Sequence, residues 1–171
     1  MIYNWKSNKE YMSIIQPLLD LPDVQKLKQF KHHQHSNRYK HVIQVSYKSY
    51  KIAKAIGADY ESVARAGILH DLYFIQGHYH DRYHDHAYWH PRIALCNAEK
   101  ITHLNKIEKD IILKHMFGST KGAPKYIESW IVNIVDDVQA VDDFIAPIEF
   151  KIEFKFFYKT LAPQPINKTM Y

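Results

Sequence analysis

The stretch from residue 60 to 72, YESVARAGILHDL, constrains the fold more than any other part of the chain. At helical spacing Val63, Gly67 and His70 share one stripe, and Ala64, Ile68 and Asp71 share the next. Both stripes are apolar, so the helix they define is enclosed nearly all round. Its end carries an imidazole directly beside a carboxylate. Burying such a charge is costly unless it is paired, hydrogen-bonded or bound to a metal. His70 and Asp71 therefore need partners from other elements, or from something held between them.

Those other elements also read as helices. Residues 9–19 and 23–30 are short helices separated by LPD, with Pro22 near the start of the second. In NRYKHVIQVSYKSYKIAKAIG, His41, Val45, Ile52 and Ile56 share a stripe, and Gly57 stands where a helix ends. His41 thus faces inward at the start of that helix. Asp59 is the expected N-cap of the next one. The following QGHYHDRYHDHAYWHP has no helical or strand period and reads as a loop up to Pro91, which would open a helix with His90 at its cap. Asn105 and Glu108 have capping-box spacing at the start of NKIEKDIILKHMFG, whose stripe of Ile107, Ile111 and His115 turns His115 inward. Residues 124–144 read as one long helix, apolar on most sides.

Inward-facing His41, His70, Asp71 and His115 thus meet one acid of the pair at 136 and 137, with His90 at a helix start. Neutral imidazole and carboxylate together are the ligand set for Mn, Fe or Zn at a hydrolytic centre, and helical bundles build such sites from facing helices. Any one inward histidine is more often a satisfied core residue. Positions of this kind on four separate helices are harder to explain by packing.

In the order H…HD…D, the sequence resembles the HD superfamily of metal-dependent phosphohydrolases. His41 stands in RYKHVIQVS, His70 and Asp71 in ARAGILHDL, and the last acid in WIVNIVDDV. The resemblance runs from about residue 31 to 145 and implies an all-α HD-domain bundle over residues 1–145. It is similar to members with two extra histidines, here His90 in WHPRIAL and His115 in LKHMF. That pattern resembles the bacterial symmetrical diadenosine tetraphosphatases and related phosphatases, in which the extra histidines hold a second metal. The resemblance implies a metal site of His41, His70, Asp71, His90, His115 and Asp136, with one or two divalent transition metals of the Fe, Mn or Zn class and Asp71 as the catalytic carboxylate. A helical wheel instead puts Asp137 beside the apolar stripe of Trp130 and Val141, so Asp137 stays as the alternative to Asp136.

On this resemblance the chain is expected to be a hydrolase. It cleaves a phosphate ester or phosphoanhydride of a small, nucleotide-like substrate through a metal-activated water. The alternatives are a symmetrical dinucleoside tetraphosphatase and a non-catalytic metal- or nucleotide-binding sensor. Some HD subfamilies carry a catalytic acid shortly after the HD pair. Here LYFIQG comes next, with no acid until Asp81, which argues against their nucleotide-pyrophosphohydrolase mode. Arg38 and Lys40 would either neutralise a substrate phosphate or form a solvated helix start. Lys121 and Lys125 fall near the pocket by position alone. His78, His80, His84 and His86 in the loop would either load metal or form part of a lid over the site, or more often simply lie exposed, and His32, His33 and His35 read the same way.

A net charge of +5, scattered along the chain, fits tolerance of anionic substrates better than binding to nucleic acid. Cys96 is the only cysteine, so there is no intrachain disulfide, as expected of a cytoplasmic protein. No apolar run approaches the roughly 20 residues of a membrane helix. In IEFKIEFKF, residues 148–156, apolar and charged side chains alternate with the period of a strand. The extension at 146–171 would then pack on the helical body or join two chains in a homodimer.

Overall fold

A computed structural model describes residues 4–32, 36–74 and 86–145. Helices α1 (Lys9–Leu19) and α2 (Pro22–Lys26) lead through a 3-10 turn (Leu27–Gln29) to strands β1 (Lys31–His32) and β2 (Ser36–Asn37). Then come α3 (Arg38–Ile56), α4 (Tyr60–Leu69), α5 (His86–Ile101), α6 (Lys106–Lys114) and α7 (Ile127–Ile145). The two strands form a single antiparallel ladder, Lys31 with Asn37 and His32 with Ser36. The architecture is an all-α bundle. The alternating tail segment and His33, His35, His78, His80 and His84 lie outside the described residues. No described helix is long and apolar enough to cross a membrane.

Helix α4 is the hub, packed against α1, α3, α5, α6 and α7. From Ser62 to Leu69 only Arg65 escapes full burial, as two adjacent apolar stripes require. The crossing of α3 and α4 is the tightest point. A Cβ on Gly67 would come within 2.6 Å of Ser46 Cα, so glycine is what lets the two backbones touch. Beside it the Tyr11 hydroxyl donates to Ser46 Oγ at 2.8 Å, and Ser46 Oγ donates to the Ala64 carbonyl at 2.7 Å. Both groups are buried, and this chain of bonds satisfies them.

Side-chain caps fix where the helices start. Asn8, Asn37, Asp59 and Asn105 each accept from a backbone N–H in the first turn of α1, α3, α4 and α6. Asn105 and Glu108 complete a capping box, and Glu108 also accepts from Arg65 Nε at 2.6 Å. Gly57 closes α3 in the left-handed region, at φ 74°.

The structure shifts several boundaries. Helix α5 begins at His86, five residues before Pro91, and runs through that proline. Pro91 has no N–H to give to the turn before it. Ring packing of His86 and His90 on Tyr73 gives the extra turn its reason to order. Helices α4 and α6 stop one residue short of their histidines, so His70 and His115 are C-caps rather than helix-interior residues. Helix α7 starts at Ile127, after a turn in which Asp110 Oδ2 accepts from the Lys125 N–H and the Ser129 hydroxyl. Ile56, expected inward, is exposed at the end of α3.

Replacing Gly67 by alanine drives a methyl into backbone that cannot give way. The expected cost is about 1–3 kcal/mol of overpacking, read as a lower urea midpoint. An unchanged midpoint would show that α3 and α4 separate freely.

Candidate metal centre

The six residues singled out in the sequence line one cavity of about 430 Å³ together with Arg38, His86 and Asp137. They fall into two groups whose ligand atoms lie within 4.8 Å of one another: His41, His70 and Asp136, and Asp71, His90 and His115. The neighbours His70 and Asp71 serve different groups because adjacent residues at a helix end do not face the same way, and His70 keeps helical backbone angles.

Each position has a local cause. His41 lies in the first turn of α3, and its Nε2 is 2.9 Å from Asp136 Oδ1. His70 packs tilted against His41 at 5.4 Å between ring centroids, with Nε2 3.5 Å from the same oxygen. His90 Nε2 lies 2.8 Å from Asp71 Oδ1. His115 closes the ring, 5.0 Å from His70 and 5.1 Å from His90 between centroids. Asn133 of α7 donates to the His115 carbonyl at 2.6 Å, tying the end of α6 to the helix that carries Asp136.

His70 and His115 are held alike. The Nδ1 of each lies at hydrogen-bond distance from a carbonyl three residues back, 2.9 Å to Gly67 and 2.8 Å to Ile112. A carbonyl accepts, so Nδ1 carries the proton and Nε2 turns an open lone pair into the cavity. His70 Nε2 is buried and makes no hydrogen bond, and neither does His90 Nδ1. Orphaned buried nitrogens beside two carboxylates fit a bound cation, and imidazole with carboxylate is the donor set of Mn, Fe and Zn.

The electrostatics agree. Burial alone would raise the Asp71 carboxyl, but the contact with His90 and the nearby His70 and His41 hold it well below the usual carboxylate range. Burial likewise opposes ionisation of Asp136, and His70 and His41 overcome it. Asp137 goes the other way, raised by partial burial and by its neighbour Asp136. It is exposed and does not approach the histidines as Asp136 does.

Arg38 has a structural role that neither expectation foresaw. Its Nε lies 3.2 Å from Asp71 Oδ2, its Nη1 donates to the Tyr73 carbonyl, and its guanidinium packs over the Phe30 and Tyr73 rings. Its place three residues before His41 was the available signal, since that spacing puts both on one helix face. Lys40 is exposed. His86 also corrects the reading of an exposed loop: it is half-buried, 5.2 Å from His90 between ring centroids, and lines the cavity. The i, i+4 spacing of His86 and His90 was the missed signal.

The HD domain family model matches residues 38–141, a span that contains both groups. No curated protein and no solved structure matches the chain.

His115 generates a pH prediction. Burial, then the charges of His70 and His90, lower its pKa from 6.5 to about 3. Below pH 6.5 the unfolded chain takes a proton that the folded chain refuses, so stability present above 6.5 is lost as the pH falls towards 3. His70 has the opposite sign: Asp136 outweighs burial and raises its pKa, so its contribution is present below 6.5 and fades as the pH rises through the folded value. In chelator-treated protein, His115→Gln is expected to flatten the fall in urea midpoint between pH 6.5 and 4.5. Parallel falls for wild type and variant would refute the buried neutral imidazole.

Proposed function

The chain belongs to the HD domain family, and on that premise we propose that it is a metal-dependent phosphohydrolase. Its substrate is a small phosphorylated molecule, with a nucleotide as the proposed class. The observation that carries this reading is the back-to-back pair of ligand groups, joined through the adjacent residues His70 and Asp71.

His41, His70 and Asp136 would hold one cation, and Asp71, His90 and His115 a second. When bound, divalent cations of the Fe, Mn or Zn class supply Lewis acidity to phosphoryl oxygens and lower the pKa of attacking water. The chain's own groups prepare the site. The Gly67 and Ile112 carbonyls fix the tautomers of His70 and His115, so each offers Nε2 without a reorganisation step. Arg38 restrains one oxygen of Asp71 while the other faces His90. Tyr73 covers Arg38 on one side and His90 on the other, shielding both from water. In the reaction, water oxygen bonds to phosphorus as the bond to the leaving oxygen breaks, and that oxygen departs with a proton. Symmetrical cleavage of a dinucleoside tetraphosphate is the narrower activity within this reading, supported by the joining of His90 and His115 to Asp71.

The test is elemental analysis of protein purified without chelator or histidine tag, together with a phosphatase screen that includes diadenosine tetraphosphate. Asp71→Asn is expected to lower turnover by about three orders of magnitude while far-UV circular dichroism is kept, the order of loss seen when charge stabilisation at a reacting centre is removed. A variant with full activity sinks the hydrolase reading. His90→Ala and His115→Ala are each expected to bring the metal content from two per chain towards one. An unchanged content would leave these histidines a structural or substrate-contacting role. Bound metal with no turnover on any phosphate ester would make the protein a sensor.

A further inference from the structure

Beside the metal cavity lies a second, smaller one of about 290 Å³ that the proposed metal chemistry does not use. The two share Ser119 in their walls. Their charges differ. The metal cavity is lined by Asp71, Asp136 and Asp137 as well as by Lys31 and Arg38, and Arg38 is committed to Asp71. The side cavity is lined by Arg92, Lys114 and Lys121 and by no acidic residue. None of these three cations forms an ion pair with a carboxylate among the described residues.

Arg92 is held in place, and Lys114 is half-buried beside the loop that follows α6. The Arg92 guanidinium lies 3.6 Å from the centroid of the Tyr88 ring, and its Nη1 donates to the Tyr88 carbonyl at 2.6 Å. A planar group with five donors keeps N–H bonds in hand after that contact. The Lys114 ammonium lies against Gly122, where a Cβ would come within 2.7 Å of Nζ and where φ is +91°. The loop after α6 folds back over the ammonium, and glycine permits it. Lys121 is exposed on the same loop.

The same two helices supply both cavities. Helix α5 gives His90 to one and Tyr88 and Arg92 to the other, while on α6 Lys114 immediately precedes His115. Cations around a hollow with no acidic residue among the described residues of its wall focus field on an anion.

We propose that the side cavity is an anion subsite of the active centre. It takes a second phosphate of the substrate while the reacting phosphate occupies the metal cavity. The substrate class is then a compound with at least two phosphates, in preference to a simple monoester. The assignment to substrate rests on the phosphohydrolase reading; the cationic cavity stands on its own geometry.

ADP, AMP and orthophosphate are the probes, since the first two differ by one phosphate. Their binding to the metal-loaded full chain is measured by calorimetry, and their hydrolysis by phosphate release. The expected result is that ADP binds about tenfold tighter than AMP, a single charge-assisted set of contacts. Arg92→Gln and Lys121→Gln each shrink that preference, roughly tenfold for the half-buried arginine and roughly threefold for the exposed lysine. Lys100→Gln, an exposed charge elsewhere on α5, keeps the wild-type preference. Each variant is checked for its thermal midpoint.

If ADP binds no tighter than AMP, or if Lys100→Gln acts like the other two, the subsite falls. If the variants weaken orthophosphate alone, the cavity is a free-phosphate site and the assignment to substrate is overturned. Hydrolysis with an unaltered ADP preference in both variants overturns the subsite and leaves the hydrolase reading standing. A variant-sensitive ADP preference without hydrolysis does the reverse.

Discussion

A carboxylate that is 5% exposed governs this structure. Asp71 stays ionised because a guanidinium and imidazoles from several elements surround it. Arg38 and His41 come from the start of α3, His70 from the end of α4 and His90 from α5. Moving any of these helices leaves a buried charge without its partner, which is more costly than never having buried it. The packing of the bundle and the composition of the cavity are therefore one problem. The glycine contact between α3 and α4, the bonds of Asp110 to Lys125 and Ser129 and the Asn133 bond to the His115 carbonyl fix the elements around this charge.

Much of this was legible in the sequence. The central helix announced itself because it is apolar on two adjacent stripes, which only a buried element can afford. The caps at Asn105 and Asp59 were readable because capping depends on residues a few positions apart. The HD order located His41, His70 and Asp71 on short separate segments, and the structure brings them together. Other features were not legible because they depend on contacts far along the chain. Pro91 favours a helix start by local rules, and only the packing of His86 and His90 on Tyr73 explains the turn before it. The ends of α4 and α6 were overrun for the same reason: apolar periodicity continues past Leu69 and Lys114, and only the hydrogen bonds of His70 and His115 to the preceding turn show where the helices stop.

The choice between Asp136 and Asp137 shows the limit of a helical wheel. The wheel assumes that an apolar stripe faces the core. On α7, Val141 of the stripe it shares with Trp130 is 48% exposed, Trp130 is only half-buried, and Ile127 and Ile134 on the same side are each 55% exposed. Asp136 lies away from that stripe and reaches His41 and His70. The order of the motif, which encodes chemistry rather than burial, pointed to the acid that meets the histidines.

The hydrogen bonds of His70 and His115 to carbonyls of the preceding turn have one more consequence. Both helices end at the cavity, and a helix terminus of this kind carries about half a negative charge from its aligned peptide dipoles. Helices α4 and α6 thus bring two such termini to one small space. Their field comes from backbone geometry and does not titrate. It favours a positive occupant even when acid removes the charge of the carboxylates, and no side-chain substitution that leaves the two helices standing can abolish it. The preference of this cavity for cations is written partly into the peptide bonds themselves.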